Sequence, residues 1–438
     1  MTIFVIKVQA GTIIALQQTK TTLKIKNMFT VSFIAAMMML FNHGGNSDKP
    51  QKDDNVRKNI ELTDEQKAIS RSSNEFTFDF MKILASKEDK DVNMFASPFS
   101  LQTALAMTTE GAVGDTREEM LKALKLADFS QEEIAGFYKT IIPALENVDK
   151  KTVMEIANSF WTKKTIEIKK DYAAILQSNY YAECETLAEN GKQAANAVNA
   201  WCSKKTHGMI NHVINEVPED QMVALINAIY FNGEWSEPFR ERSNYDSEFA
   251  NHDGSTKTIT LMRREDDMDV YLGEKARSIS LPYGNHAYVM TIILPEKGVD
   301  VDDVVAGLDA DTWRKYRYGG RDYEVTLSFP KFETEYTASE LCIKTLKDMG
   351  LKKAFTRSAD FTGISKTTLF ISQIIHKARV KVNEKGTEAA AVSYIGMELT
   401  SAIPQQEHII FKVDRPFIYA ISEVSTGAIV FMGVQKKF

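Results

Sequence analysis

Cysteine is scarce in this chain: three residues, Cys184, Cys202 and Cys342, lie far apart in 438. That number and spacing exclude a disulfide scaffold and any CxxC-type metal cluster, leaving buried or incidental thiols and room for at most one functional disulfide. Glycine (22) and proline (10) are sparse and no internal repeat is visible, which removes collagen-like and low-complexity chains. Neither charge sign dominates: 53 Lys and Arg face 59 Asp and Glu, a net charge of −6. The balance gives no reason to expect nucleic acid or an anionic membrane surface as partner. Catalytic signatures are missing as well, with no GxSxG elbow, no Walker-type phosphate loop, no GxGxxG and no HExxH. His207 and His212 are five apart, so they do not share a helical face, and no carboxylate completes a site. The chain is therefore not expected to be an enzyme, and no metal, cofactor or small-molecule substrate is expected.

What is present is a large supply of core: 44% of residues are apolar and 26% charged. Met28 to Phe41 (MFTVSFIAAMMMLF) is nearly unbroken apolar sequence, preceded by Lys20, Lys24 and Lys26 and followed by a polar run from Asn42. It is shorter than the roughly twenty residues of a membrane span and has the length and basic flank of a secretory signal. The expectation is a leader and solvated linker over residues 1–60, export to the extracellular space (or the periplasm or surface of a bacterium), and a single domain over 61–438. Thr63 to Gln66 (TDEQ) reads as the start of a first helix, with Phe76, Phe80, Ile83 and Leu84 at helical spacing. Further helices are expected over about 101–108, 117–126, 131–145 and 193–206. Runs rich in β-branched and aromatic residues predict strands over 154–161, 222–231, 287–294, 324–329 and 409–413. Helices dominate the first half and strands the second, without βαβ alternation, which points to an α+β fold with largely antiparallel or mixed sheets. Gly111 to Gly114 reads as a turn into a capping box formed by Thr116 and Glu119. Lys122 and Lys125 have Glu118 and Glu119 beside them and read as a solvated face, not a glycosaminoglycan site.

Several segments are specific when taken together and in order. They are NMFASPFSLQTALAMTTEGAVGDTREEM from Asn93, Ala157 to Trp161, Val198 to Trp201 with Thr206 to Ile210, and LINAIYFNGEWSEPF from Leu225. Then come Phe329-Pro330-Lys331, His376-Lys377, NEKGTEAAA from Asn383, Asp414 to Phe417, and Phe431-Met432-Gly433. Jointly they resemble the serpin family of serine protease inhibitors, from about residue 70 to the C-terminus. The resemblance implies one domain of three β-sheets and eight to nine helices, with an exposed reactive loop at about 386–409, and a monomer.

The loop can also be read from its residues. Between Gly386 and Ile409 there is no Lys or Arg and a single Pro. One parity runs Thr387, Ala389, Ala391, Ser393, Ile395, Met397, Leu399, small and then apolar; the other runs Glu388, Ala390, Val392, Tyr394, Gly396, Glu398, Thr400. Such a segment can become a strand with its first parity buried, although the residues alone also allow a loose connector or a short helix seeded at Glu388 to Ala391. Thr387 to Thr400 spans about 46 Å as a strand at about 3.3 Å per residue. The resemblance implies suicide inhibition: a protease cuts the loop, and the freed segment inserts into the main sheet with the covalently held acyl-enzyme, a strand addition general to the family. It places the scissile bond at Thr400–Ser401, with Leu399–Thr400 as runner-up, and the hinge at Gly386, Thr387, Glu388, Ala389, Ala390, Ala391, Val392 and Ser393. Val392 departs from the small residues usual there. Ser97, Ser100, Asn227 and His376 match the cluster behind the sheet opening, and Trp235, Lys331 and Glu384 match the point where the loop goes in. A missing Lys or Arg argues against trypsin-like proteases, whose pocket carboxylate needs a cation. Elastase-like or subtilisin-like serine proteases are expected first, chymotrypsin-like enzymes next, and papain-like cysteine proteases stay open as partners. The alternative is a non-inhibitory serpin acting as a binding or chaperone-like protein.

Overall fold

Six of the nine described α-helices start at a capping side chain. The computed structural model describes residues 2–10, 55–219, 221–387 and 407–438. In α1 (Asp64–Lys87), Thr63 accepts from the Gln66 backbone and the Gln66 side chain accepts from the Thr63 backbone, so two orphan donors are met reciprocally. Ser130 and Glu133 do the same for α4 (Gln131–Asn147). Between them lie α2 (Pro98–Thr109), capped by Ser97 with Pro at its first position, and α3 (Gly114–Ala123). The expected capping box at α3 is absent. Val113 is the N-cap without a side-chain bond. Thr116 instead accepts from the Asp360 backbone, and Glu119 from Lys352 and Lys353, so both residues anchor a distant loop. The remaining helices are α5 (Lys170–Asn179), α6 (Gly191–Lys205), α7 (Val301–Ala306), α8 (Ala310–Tyr318) and α9 (Ser339–Asp348). None of the described helices is long and apolar enough to cross a membrane. The apolar stretch 28–41 lies outside the described residues.

Strands follow in chain order as β1 (Thr2–Ala10), β2 (Met94–Ala96), β3 (Thr152–Thr162), β4 (Glu183–Thr186), β5 (Gln221–Glu234), β6 (Tyr245–Ala250), β7 (Thr256–Leu272) and β8 (Ala276–Tyr283). After them come β9 (Tyr288–Pro295), β10 (Arg321–Pro330), β11 (Phe332–Thr337), β12 (Leu369–Asn383), β13 (Gly386–Thr387), β14 (His408–Lys412), β15 (Phe417–Glu423) and β16 (Ile429–Gln435). Among the described residues they form two hydrogen-bonded networks. The main sheet contains β1, β3, β4, β5, β11, β12 and β13; the other nine strands make the second network. There the long β7 pairs with β6 and β10 and, at its far end, with β8, so two smaller sheets run together through one strand instead of standing apart.

Both faces of the main sheet are covered, which is why β5 reads as a nearly continuous apolar run. Val223, Leu225, Ile229 and Phe231 belong to the large core, while Ala224, Ile226, Ala228 and Tyr230 pack with Ala194, Ala195, Val198, Trp201 and Cys202 of α6. Helix α2 is buried along its whole length, as expected of a helix with no polar face. Each large apolar side chain removed from water in this way contributes roughly 1.5–3 kcal/mol.

Some residues before 61 also contact the rest of the chain: β1 runs antiparallel between β5 and β12 in the main sheet. Asn55 also bonds to Asp149, and Ile60 to Ser425.

Candidate functional site

Strand β12 ends in a turn at Glu384 and Lys385, and the returning pair Gly386–Thr387 forms β13. On one side β13 bonds back to β12, with Val382 opposite Thr387; on the other it bonds to β5, with Thr387 opposite Gly233. Gly386 has a φ of +154°, and a Cβ there would come within 2.0 Å of the Gly233 carbonyl oxygen, so only glycine fits this close approach of two backbones. Gly386 and Thr387 thus lie between β5 and β12.

Aromatic and ionic contacts hold that turn. Trp235 is buried, stacks on Tyr283 with ring centroids 4.4 Å apart, and donates from Nε1 to the Asn383 carbonyl at 3.0 Å. The Trp235 backbone donates to Lys385 O and Phe239 N to Glu384 O, both at 2.8 Å. Tyr283 and Thr387 share a hydroxyl–hydroxyl bond of 2.6 Å. Lys331 Nζ reaches Glu384 Oε1 at 2.8 Å, and Asn244 Nδ2 donates to the same oxygen at 2.5 Å. Burial works against the Glu384 charge, but hydrogen bonds from Lys331, its own backbone N–H and Asn244 outweigh it and hold the carboxyl below its ordinary value.

Farther along the opening, the first turn of α2 bridges the two flanking strands. Ser97 N donates to His376 Nε2 of β12 at 3.3 Å, while the Ser97 hydroxyl caps Ser100 N at 3.1 Å and donates to Val430 O at 2.6 Å. Ser100 donates to Asn227 Oδ1 of β5. Asn227 Nδ2 passes on to Asn158 Oδ1 of β3 at 2.6 Å, and Asn158 Nδ2 to Tyr180 O at 2.7 Å. Full burial pushes the His376 imidazole down to about 3, so it stays neutral, with Nε2 as acceptor.

Ser97, Ser100, Asn227 and His376 therefore form one buried cluster, and Trp235, Lys331 and Glu384 gather at the turn. Sequence reasoning missed Asn158, Tyr283 and Asn244. Asn158 left a trace, a polar residue next to Ser159 between the apolar pairs Ile156-Ala157 and Phe160-Trp161, which signals a buried bond; Tyr283 left none. Of the hinge, Gly386 and Thr387 are described. Residues 388–393 and the proposed reactive bond at Leu399, Thr400 and Ser401 lie outside the described residues. His207 pairs with Glu155 and does not join His212. Cys184 is exposed and Cys202 and Cys342 are buried, all three free. His252, Asp300 and Asp302 have ligand-like spacing, but the buried Lys436 ammonium lies 2.8 Å from Asp302 and already neutralises that corner.

The chain matches the family model described as Serpin (serine protease inhibitor) over residues 71–436. It is 32% identical over 372 residues to an uncharacterized serpin-like protein of Thermococcus kodakarensis, covering 84% of this chain and 85% of that one. It is 31% identical over 383 residues to the leukocyte elastase inhibitor of Bos taurus, covering 83% and 98%. The native-state crystal structure of the thermophilic serpin tengpin superposes with a TM-score of 0.77 at 28% identity, over 88% of this chain and 97% of that one. On the strength of this family match and these relatives, the chain belongs to the serpin family.

Proposed function

We propose that this protein is a suicide-substrate inhibitor of serine proteases, cut at Thr400–Ser401 and trapping the acyl-enzyme by insertion of Thr387 to Thr400 into the main sheet. The observation that carries this reading is the position of β13. It is antiparallel to both β12 and β5, so each further loop residue can take the next place between them without a change of register. Continued residue by residue, that register sets Ala389 opposite Phe231 and Val380, Ala391 opposite Ile229 and Ala378, and Ser393 opposite Asn227 and His376. Directly opposed residues in an antiparallel pair share a face. The small parity of the loop therefore meets the face of β5 that packs into the main core, where Val223, Leu225, Ile229 and Phe231 leave little room. Bulky residues at those places would overpack it.

For the target, a loop without Lys or Arg favours proteases with small or medium apolar pockets, elastase-like or subtilisin-like. Similarity to an elastase inhibitor supports the same class. The test is incubation at one-to-one ratio with an elastase-like protease, followed by a denaturing gel and the mass of the released C-terminal peptide. A denaturant-stable complex and a peptide starting at Ser401 are expected. Cleavage without a stable complex, repeated with subtilisin-like and chymotrypsin-like enzymes, would leave a loop that is only a substrate and favour the binding or chaperone-like alternative.

A further inference from the structure

The place into which the loop register points already holds a strand. In β1, Thr2 stands opposite both Ile229 and Ala378, Phe4 opposite Asn227 and His376, and Ile6 opposite Leu225 and Ile374. These are the partners that the β13 register assigns to Ala391, Ser393 and Ile395. From Thr2 to Lys7, every residue of β1 coincides with a loop position from Ala391 to Gly396, and both flanking strands give the same correspondence. Two unrelated segments of one chain thus compete for one slot in one register. We propose that Thr2–Ala10 is an intramolecular occupant of the insertion slot, which closes the main sheet of the uncut protein and must leave before the cut loop can enter.

Three features carry the inference. First, β1 has the composition of a strand: six of its nine residues are Thr, Ile, Val or Phe (TIFVIKVQA). Second, its ties differ from those of the loop. The loop is fixed at both ends while intact, by β13 at Thr387 and by β14, which pairs with β10 in the other network. While β14 stays paired with β10 the intact loop cannot lie straight along the slot, whereas β1 already pairs with both flanking strands along its length. Third, the connection is long enough. Gln9 lies opposite Gln221 at one end of β5, and Asn55 bonds near Asp149 and Lys150, close to Thr152, which pairs with Gly233 at the other end. That distance is about 40 Å along a strand of this length, and the 44 residues from 11 to 54 reach more than three times as far when extended.

The consequence for inhibition rests on the trapping mechanism proposed above. After the acyl-enzyme forms, loop insertion races against hydrolysis of the ester. A strand that must first be displaced slows insertion, so the full chain should be cut as a substrate more often than one whose slot is open. A chain shortened beyond the apolar stretch Met28 to Phe41 lacks β1, so removal of a leader and occupancy of the slot exclude each other.

The experiment uses the full chain and a Val5→Pro/Ile6→Pro version, since proline removes the ladder donors that a central strand needs. Hydrogen exchange is measured on the amides of Ile3 to Gln9 in the full chain and in a free peptide of the same sequence. Exchange at least a hundredfold slower in the full chain is expected; exchange at the free-peptide rate overturns the proposal. Both proteins are then titrated with an elastase-like protease. The proline version is expected to give at least a twofold larger share of trapped complex per cut chain, and an equal share overturns the competition. Slow exchange with no complex from either protein would keep β1 in the slot and sink the trapping mechanism instead. If the proline version fails to fold, excess free Thr2–Ala10 peptide added to a chain starting at Met28 supplies the same comparison, and failure of the peptide to lower the trapped share overturns the proposal.

Discussion

His376 and Asn227 stand level with each other on the two strands that flank the slot, both opposite Phe4, and the first turn of α2 holds one through Ser97 and the other through Ser100. A helix N-terminus thus braces the two strands between which β1 lies. The His376 imidazole is neutral because it is buried, with its pKa lowered to about 3 from an ordinary 6.5. An unfolded chain therefore binds a proton below pH 6.5 that the native chain refuses, and native stability is lost as pH falls from 6.5 toward 3. At about 1.4 kcal/mol per pH unit, the loss between pH 7 and pH 5 from this residue is about 2 kcal/mol. Urea unfolding of the native protein and of His376→Gln at both pH values checks it: the variant should be less stable at pH 7 and lose less on acidification. Equal losses would show that His376 does not titrate in this way.

Ser393 should arrive between the same two residues when the loop inserts. Its hydroxyl can join the bonds among Ser97, Ser100, His376 and Asn227, whereas a leucine would overpack the first turn of α2 by about 1–3 kcal/mol. Loop-cut Ser393→Leu should melt lower than loop-cut native protein, while Ser393→Ala should lie close to the native value. A leucine variant as stable as the native protein after cutting would place Ser393 elsewhere.

How far the sequence carries depends on whether a signal is local. The start of α1 is legible because Thr63 and Gln66 are three residues apart and act on each other. At α3 the same kind of pattern misleads, since Thr116 and Glu119 spend their hydrogen bonds on residues 352–360. Strand β12 was not legible: its fifteen residues mix buried and half-buried positions, and Gln373, His376 and Lys377 interrupt the alternation. The buried cluster could be named through family resemblance, but not its connection through Asn158, because the bond from Asn227 crosses 69 residues of sequence. Strand β1 has strand-like composition, yet nothing in its residues says which two distant strands it joins.

Gly386 is the tightest point of the hinge. In Gly386→Ala the new methyl meets the Gly233 carbonyl at 2.0 Å, and neither backbone can yield without breaking β13 from β5. The expected cost is about 1–3 kcal/mol, measured as a shift in the urea midpoint. The Tyr283–Thr387 bond should be lost with it, so Tyr283→Phe in the same background should add little further loss. Full additivity of the two substitutions would mean that they act independently.

The Lys331–Glu384 pair gives a second pH signature. Lys331 is 42% exposed and Glu384 6%, so screening reduces the pair to about 1 kcal/mol, although the carboxylate itself is well buried. Because the folded pKa of Glu384 lies below its ordinary 4.5, its contribution is present above that value and is lost as pH falls through the folded pKa. Lys331→Met should therefore unfold more readily at pH 7 and approach native behaviour as pH falls through that lowered value. A deficit that stays constant across this range would point to lost packing of the lysine stem and not to its charge.

Specificity supplies the sharpest test of where the loop is cut. A trypsin-like pocket carries a buried carboxylate that an uncharged residue leaves unpaired, and this penalty is why the native loop should be ignored by such enzymes. Thr400→Arg supplies the missing cation at the proposed scissile position without touching the hinge parity from Thr387 to Leu399. If Thr400–Ser401 is the reactive bond, the variant should form a denaturant-stable complex with trypsin, release a peptide beginning at Ser401, and lose activity toward an elastase-like protease. If Leu399–Thr400 is used instead, the arginine falls just beyond the cut, and Leu399→Arg should be the variant that traps trypsin. The two substitutions therefore separate the registers: the one that converts the target identifies the bond, and failure of both would show that the trap is sprung elsewhere in the loop or not at all.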